Sequence, residues 1–404
     1  MMIWRDGVVR GVRAAWDGAV ELEVEITGPA PGAAGAPSPL SPGTAVSGPT
    51  PLSPGTAVRA LAYPHLVGEP AVGDRVTLSA AALARGLGTG GYAMVVALPD
   101  ALPPDPGAGP GHLVKARYTP LQTMVLGVDE QESAHHEVLR EADDLGGMPV
   151  VVADLHSALP AVLAGIRSVD PELRVAYVMT DGGALPAWFS RSLAGLRDAH
   201  WLVGSVTVGQ AFGGDLEAVN VHTGLLAARL VVGADAVVVA QGPGNLGTGT
   251  RWGFSGTACG EAVNAAATLG GAPVASLRVS GADPRERHRG VSHHSLTAYG
   301  RVALAPADVV VPRYDTGDAL EASLPPGFGD RVAEQARALA APAGIHRLVE
   351  VSTAGLGQAL AGSPVRLSTM GRGLEQDPAA FLAAAAAGVH AARLAGRPVG
   401  NVPA

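Results

Sequence analysis

Residues Ser280 to Ser295 read SGADPRERHRGVSHHS and gather three arginines (Arg285, Arg287, Arg289), three histidines (His288, His293, His294), Asp283 and Glu286 into one short segment. Guanidinium forks grip carboxylate or phosphate in two-point geometry, and imidazole moves protons or ligates metal near neutral pH. The chemistry expected of such a segment is capture of an anion and proton transfer at it. The competing reading is a solvated loop in which Asp283 and Glu286 neutralise the arginines and Ser292 caps a helix carrying His293 and His294. Adjacent helical residues point about 100 degrees apart, so only one of those two histidines is expected to face a given site.

A second segment, Gln241 to Gly256 (QGPGNLGTGTRWGFSG), follows the apolar run VVVA and holds six glycines. Gly242, Gly244 and Gly247 match G-x-G-x-x-G, and glycine lets backbone amides approach an anion with no Cβ in the way. With Asn245, Thr248, Gly249 and Thr250 the stretch is expected to be an anion-binding loop. A dinucleotide fingerprint fits less well: Thr248 to Phe254 separates the glycines from the next helix, and the following strand ends at Val279 and Ser280 rather than at an acid. A plain tight turn is the remaining alternative.

Smaller polar groups stand at other strand ends. Asp154 and His156 in ADLHS, Asp181 in MTDGG, and one of His293 or His294 form a candidate divalent-metal set, because oxygen and imidazole ligands suit Mg, Mn or Zn. Asp181 and Asp215 are also candidates to orient a catalytic His288 or His294. Each of these groups taken singly can equally be a cap or turn. Lys115 is the single lysine and can close over a ligand; Cys259 is the single cysteine, placed early in a helix where a dipole lowers a thiol pKa, or else a packed small thiol.

The elements that must hold these residues follow from hydrophobic pattern. Valine-rich runs at 149–155, 174–179, 202–208, 236–240, 273–279 and 308–311 alternate with segments of helical length at 157–166, 187–196, 217–230, 255–269 and 293–302. Unbroken apolar strands alternating with helices predict an α/β fold, a parallel sheet with helices on both faces. In open sheets of this kind ligands bind beyond the carboxyl ends of the strands, where the polar clusters fall. Ahead of it, residues 1–98 are expected to form a small β-barrel or sandwich, since Val20, Leu22, Val24 and Ile26 alternate with Glu21, Glu23 and Glu25. The Pro/Gly/Ser/Thr stretch 28–58 contains PLSPGTAV twice and is expected to be a disordered insert; 99–111 reads as a linker, 112–312 as the α/β domain, and 313–404 as a helical extension covering the sheet or a subunit interface.

Composition narrows the function classes. The chain has 404 residues, 47% hydrophobic and 16% charged, with net charge -8, so nucleic acid and anionic membrane are not expected partners. No apolar run follows the start and none reaches the roughly 18 residues of a membrane span, so a cytoplasmic location without membrane attachment is expected. The high apolar fraction suggests a homo-oligomer.

ADLHSALPAV (153–162), MTDGGALP (179–186), TVGQAFGGDLEAVNVHTGLLAA (207–228), AQGPGNLGTGTRWGFSG (240–256) and DPRERHRGVSHHSLTAYGR (283–301) together resemble the bacterial domain-of-unknown-function family numbered 3866. The resemblance covers most of 1–312 and leaves out the insert and much of the tail. It implies a shared α/β unit and supplies no catalytic residues.

On the residues themselves, the expected function is an enzyme acting on a small anionic, phosphorylated or nucleotide-like metabolite, by hydrolysis or group transfer rather than redox chemistry. The 241–256 amides would hold the anion, Arg285, Arg287 or Arg289 would neutralise it, and His288 or His294 would move the proton. The alternatives are a divalent-metal-dependent hydrolase using Asp154, His156 and His293, and a binding or assembly protein without turnover.

Overall fold

The computed structural model describes residues 2–28, 52–88, 90–314, 317 and 319–396. Most of the predicted insert lies outside the described residues; its last two, Ala57 and Val58, open a strand. The chain divides into two compact units, residues 1–109 with 118–123, and 110–117 with 124–404.

The first unit is a closed five-stranded barrel of β1 (Trp4–Trp16), β2 (Ala19–Ile26), β3 (Ala57–Ala62), β4 (Arg75–Ser79) and β5 (Ala93–Ala97), in the order β1-β2-β3-β5-β4. The two-residue alternation does what its period requires: Leu22, Val24 and Ile26 fill the interior. Glu21 is the exception, buried and held by Arg59 at 3.0 Å and the Tyr92 hydroxyl at 2.9 Å.

The second unit is built on eight strands: β6 (Pro149–Ala153), β7 (Val175–Thr180), β8 (Gly204–Thr207), β9 (Leu216–Glu217), β10 (Ala236–Gln241), β11 (Ala272–Ser276), β12 (Asp308–Arg313) and β13 (Arg347–Ser352). All pair in parallel, in the order β9-β8-β7-β10-β6-β11-β12-β13. Its α-helices of five or more residues are α1 (Leu159–Arg167), α2 (Arg191–Asp198), α3 (Val221–Leu230), α4 (Ala258–Thr268), α5 (His293–Thr297), α6 (Phe328–Ala340), α7 (Leu356–Ala361) and α8 (Pro378–Ala395). Alternate residues of β6 face opposite layers: Val150 and Val152 pack with α3, α4 and α6, whereas Val151 and Ala153 pack with α1, α2, α7 and α8. The chain therefore leaves β6 toward one face and β10, its neighbour, toward the other, which opens a crevice above their carboxyl ends.

Two expectations change here. Residues 313–404 do cover the sheet with helices, α8 among them, but they also join it, adding the edge strand β13. And α8 is, by length and composition, apolar enough to cross a membrane, although most of it is buried inside the protein. Its run of alanines has a packing cause. A Cβ at Gly165 of α1 would lie 1.9 Å from Ala385 O, and one at Gly388 would lie 2.0 Å from Val162 O, so α1 and α8 cross with their backbones nearly touching.

Candidate functional site

Asp154 is the first residue past β6, at that crevice, and its carboxylate is 3% exposed. Oδ2 accepts from Arg278 Nη1 and from His294 Nδ1, both at 2.9 Å, and Oδ1 accepts from Asn245 Nδ2 at 3.2 Å. Gln241 Nε2 donates to the Asp154 carbonyl at 2.9 Å. Gly256 makes the room, since a Cβ there would sit 1.8 Å from Asp154 Oδ1. Burial pushes the Asp154 pKa up, but the His294 bond and the Arg278 charge outweigh it and hold the carboxyl below its ordinary range. Nδ1 of His294 thus faces the carboxylate, with Arg278 Nη1 also 3.0 Å away, and Nε2 points away from Asp154.

Three imidazoles meet at this point. The His294 ring stacks on Phe254 with centroids 3.8 Å apart and planes 9° from parallel. His288, from the turn before the short strand Gly290–Val291, has its centroid 4.9 Å from His293 and 5.1 Å from His294, which are 4.5 Å from each other. One ring nitrogen from each lies within 4.8 Å of the others. Nδ1 of His288 is bonded to Ser292 Oγ at 2.8 Å, and Nε2 of His293 is buried with no hydrogen-bond partner. Burial, reinforced by the Arg278 charge, pulls the His288 pKa down to about 3; burial, with His294 and Arg287 beside it, pulls His293 down to about 4. Both rings are therefore neutral at pH 7.

Contrary to the helical-angle expectation, His293 and His294 both join the group. They occupy the first turn of α5, where the Ser292 hydroxyl accepts the His294 amide, and their side chains are long enough to close the angular gap around His288.

His293 also lines a cleft of about 420 Å3, together with Arg251, Arg287 and Arg301 and an apolar wall of Leu296 and Leu339. None of these three guanidiniums has a hydrogen bond or ion pair among the described residues. The neighbouring arginines are differently employed. Arg285 makes a two-point pair with Asp283, at 2.9 and 2.8 Å, and Arg289 Nε donates to the Asp283 carbonyl at 3.1 Å. Of the three arginines predicted to neutralise an anion, Arg287 alone lines this cleft.

The glycine segment is partly closed on itself. Gly242 N donates to Thr180 O at 3.1 Å, Thr248 N to Gly253 O at 2.7 Å and Leu246 N to Ser255 Oγ at 3.1 Å, so residues 246–255 fold back as a short hairpin. Gly242 serves close backbone approach, its Cβ position being 2.3 Å from Ala184 O, and Gly244 (φ +92) is needed for its backbone angle. The Thr248 and Thr250 hydroxyls bond each other at 3.2 Å, and a Cβ at Gly249 would lie 3.8 Å from Arg287 Nη2 while Gly247 pairs back toward Phe254. What the segment brings to the site is Asn245, Arg251 and Phe254.

Other predicted residues lie apart from the histidines. Asp181 Oδ2 accepts the Gln210 amide at 2.8 Å, past β7; Asp215 is held by Arg197 and by the Ser205 amide and hydroxyl, both at 2.8 Å, beside β8. Neither orients His288 or His294, since β7 and β8 lie beyond β10 from β6; Asp154 and Ser292 do that work. His156 is bonded through Nδ1 to the Tyr177 hydroxyl at 2.9 Å and through Nε2 to Ser190 Oγ at 2.6 Å, which takes it out of the proposed metal set. Lys115 is buried and donates to Ala211 O and Ala218 O, each at 2.9 Å, with Glu217 beside it, a structural clamp at the sheet edge. Cys259 is buried, and burial raises its pKa well above the ordinary thiol value. Arg278 was missed, though its signal was present: a lone arginine in the apolar run PVASLRV must have a partner when buried.

The profile of the family described as "Protein of unknown function (DUF3866)" matches residues 59–388. That span opens in β3 and reaches into α8, so it takes in the tail that the resemblance left out. No curated protein and no solved structure matches the chain.

Proposed function

The chain belongs to the DUF3866 family, whose description carries no activity, and on its geometry we propose that it is an enzyme that binds a small anionic metabolite in the cleft of Arg251, Arg287 and Arg301 and acts on it with the adjoining histidines. The observation that carries this reading is three uncompensated guanidiniums around one cleft in a chain of net charge -8. Clustered like charges repel, and an anion with several oxygens relieves that cost while gaining charge-assisted hydrogen bonds. The apolar wall suits a metabolite with a carbon skeleton beside its phosphate or carboxylate. The volume of about 420 Å3 is within the range of small-molecule sites.

His293 belongs both to the cleft and to the imidazole cluster, which brings bases neutral at pH 7 next to the bound anion. With His294 held by Asp154, the arrangement supports proton transfer and therefore hydrolysis or group transfer. A thermal-shift screen of phosphorylated and carboxylated metabolites tests it. At least one is expected to raise Tm, with Arg287→Ala or Arg301→Ala abolishing the shift and Arg289→Ala retaining it. A flat screen, or a shift that survives the Arg287→Ala/Arg301→Ala pair, sinks the reading.

A further inference from the structure

We propose that His288, His293 and His294 form a three-nitrogen site for a divalent transition-metal ion, with Asp154 and Ser292 as the outer partners that aim the rings. This goes beyond anion binding and stands on different contacts, His293 alone being shared.

The geometry has the parts such a centre needs. One nitrogen from each ring lies within 4.8 Å of the others. A tetrahedral ion with Zn–N bonds of about 2.0–2.1 Å asks for nitrogens about 3.3 Å apart. Modest rotation of the rings closes that difference, and His293, half-buried and without hydrogen bonds through its buried Nε2, is the one free to move. Metal-binding imidazoles donate their second nitrogen to a carboxylate, carbonyl or other fixed group, and here the His294 Nδ1 bond to Asp154 and the His288 Nδ1 bond to Ser292 are already made. Structural packing alone does not account for an unpartnered Nε2 beside two other ring nitrogens, because a buried ring nitrogen without a partner is costly.

Of the cations beside the cluster, Arg278 is neutralised by Asp154, and the Arg287 charge beside His293 is one that an anion in the cleft would offset. Three imidazoles and no carboxylate in the inner set favour Zn, Co, Ni or Cu over Mg or Ca, and leave a position for solvent or substrate. What such an ion would supply is Lewis acidity beside the arginine cleft.

The test uses the full-length protein, stripped with chelator and titrated with Zn2+ by calorimetry and with Co2+ by visible absorption. One ion per chain is expected, with a Co2+ spectrum of low coordination number. His293→Ala, which loses no hydrogen bond, should weaken Zn2+ binding by more than about 100-fold, and Asp154→Asn by about 10- to 100-fold. His135→Ala should leave it unchanged, and circular dichroism of each variant confirms folding. Zn2+ binding of equal strength in a folded His293→Ala protein, or no stoichiometric binding in the parent, overturns the site. The metabolite screen on the stripped protein reads Arg287 and Arg301 separately, so failure of one proposal is not failure of the other.

Discussion

Asp154 and His156 stand two residues apart after β6, and the fold gives them different work. Asp154 is charged and shared among Arg278, His294 and Asn245, whereas His156 is buried between Tyr177 and Ser190 as a neutral ring. Burial lowers the His156 pKa from 6.5 to about 4. Because the unfolded chain then takes up its proton first, the stability His156 allows is complete above pH about 6.5 and is lost as pH falls toward about 4. The difference amounts to about 3 kcal/mol at 1.36 kcal/mol per pKa unit. Urea unfolding of the parent and of His156→Gln, compared at pH 7.5 and pH 4, should show the parent's advantage shrinking by roughly that amount. An advantage independent of pH would mean that the imidazole is not held neutral. At this scale the residues that lie together were legible in the sequence: residue type and density picked out His288, His293, His294 and Asp154. It paired them wrongly, with Asp181 and Asp215, because which strand ends are neighbours depends on sheet order, and β10 enters between β7 and β6 long after both.

Elements were legible wherever packing on both faces demanded an unbroken apolar run. The strands β6, β7, β10 and β12 and the helices α1 and α4 fall within a few residues of the pattern reading. β13 escaped it, since an edge strand reading RLVEVS carries two charges and follows a stretch without period. The crossing of α1 and α8 was illegible for a different reason: an alanine-rich helix looks featureless until its partner is known. The contact makes a sharp prediction. Gly388→Ala places a Cβ against the Val162 carbonyl at 2.0 Å, and Gly165→Ala one against Ala385 O at 1.9 Å; both obstacles are backbone and cannot swing aside. Each should cost about 1–3 kcal/mol in chemical denaturation, as overpacking does. Gly396→Ala, at the end of the same helix with its nearest neighbour at 3.6 Å and φ of -75°, should change stability by less than about 0.5 kcal/mol. Equal effects at the three glycines would deny the close crossing.

At the scale of the molecule, the tail decides whether the site has a floor. Arg372 reaches Asp283 at 3.4 Å and Asp377 at 3.1 Å, and the buried Asp377 carboxylate accepts from Ser280 Oγ at 2.5 Å and from Gly281 N at 2.9 Å. The start of α8 thus pins the loop that leads to the histidines, while His390 near its end bonds Asp308 of β12 at 2.7 Å. The 59–388 span of the family match takes in the first of these anchors, Arg372 and Asp377, and stops short of His390. A chain ending at Pro312 would keep all three histidines and all three cleft arginines, yet expose the apolar face of α1 and the open edge of β12, and take Arg372 from Asp283 and Asp377 from Ser280. An open parallel edge beside uncovered apolar surface invites aggregation. Such a truncated chain should therefore be insoluble or melt without a cooperative transition, and should bind neither Zn2+ nor the anion, when followed by sedimentation, circular dichroism and calorimetry. A soluble, cooperatively melting protein that still binds would mean that the site is carried by residues 112–312 alone, and that the tail only covers it.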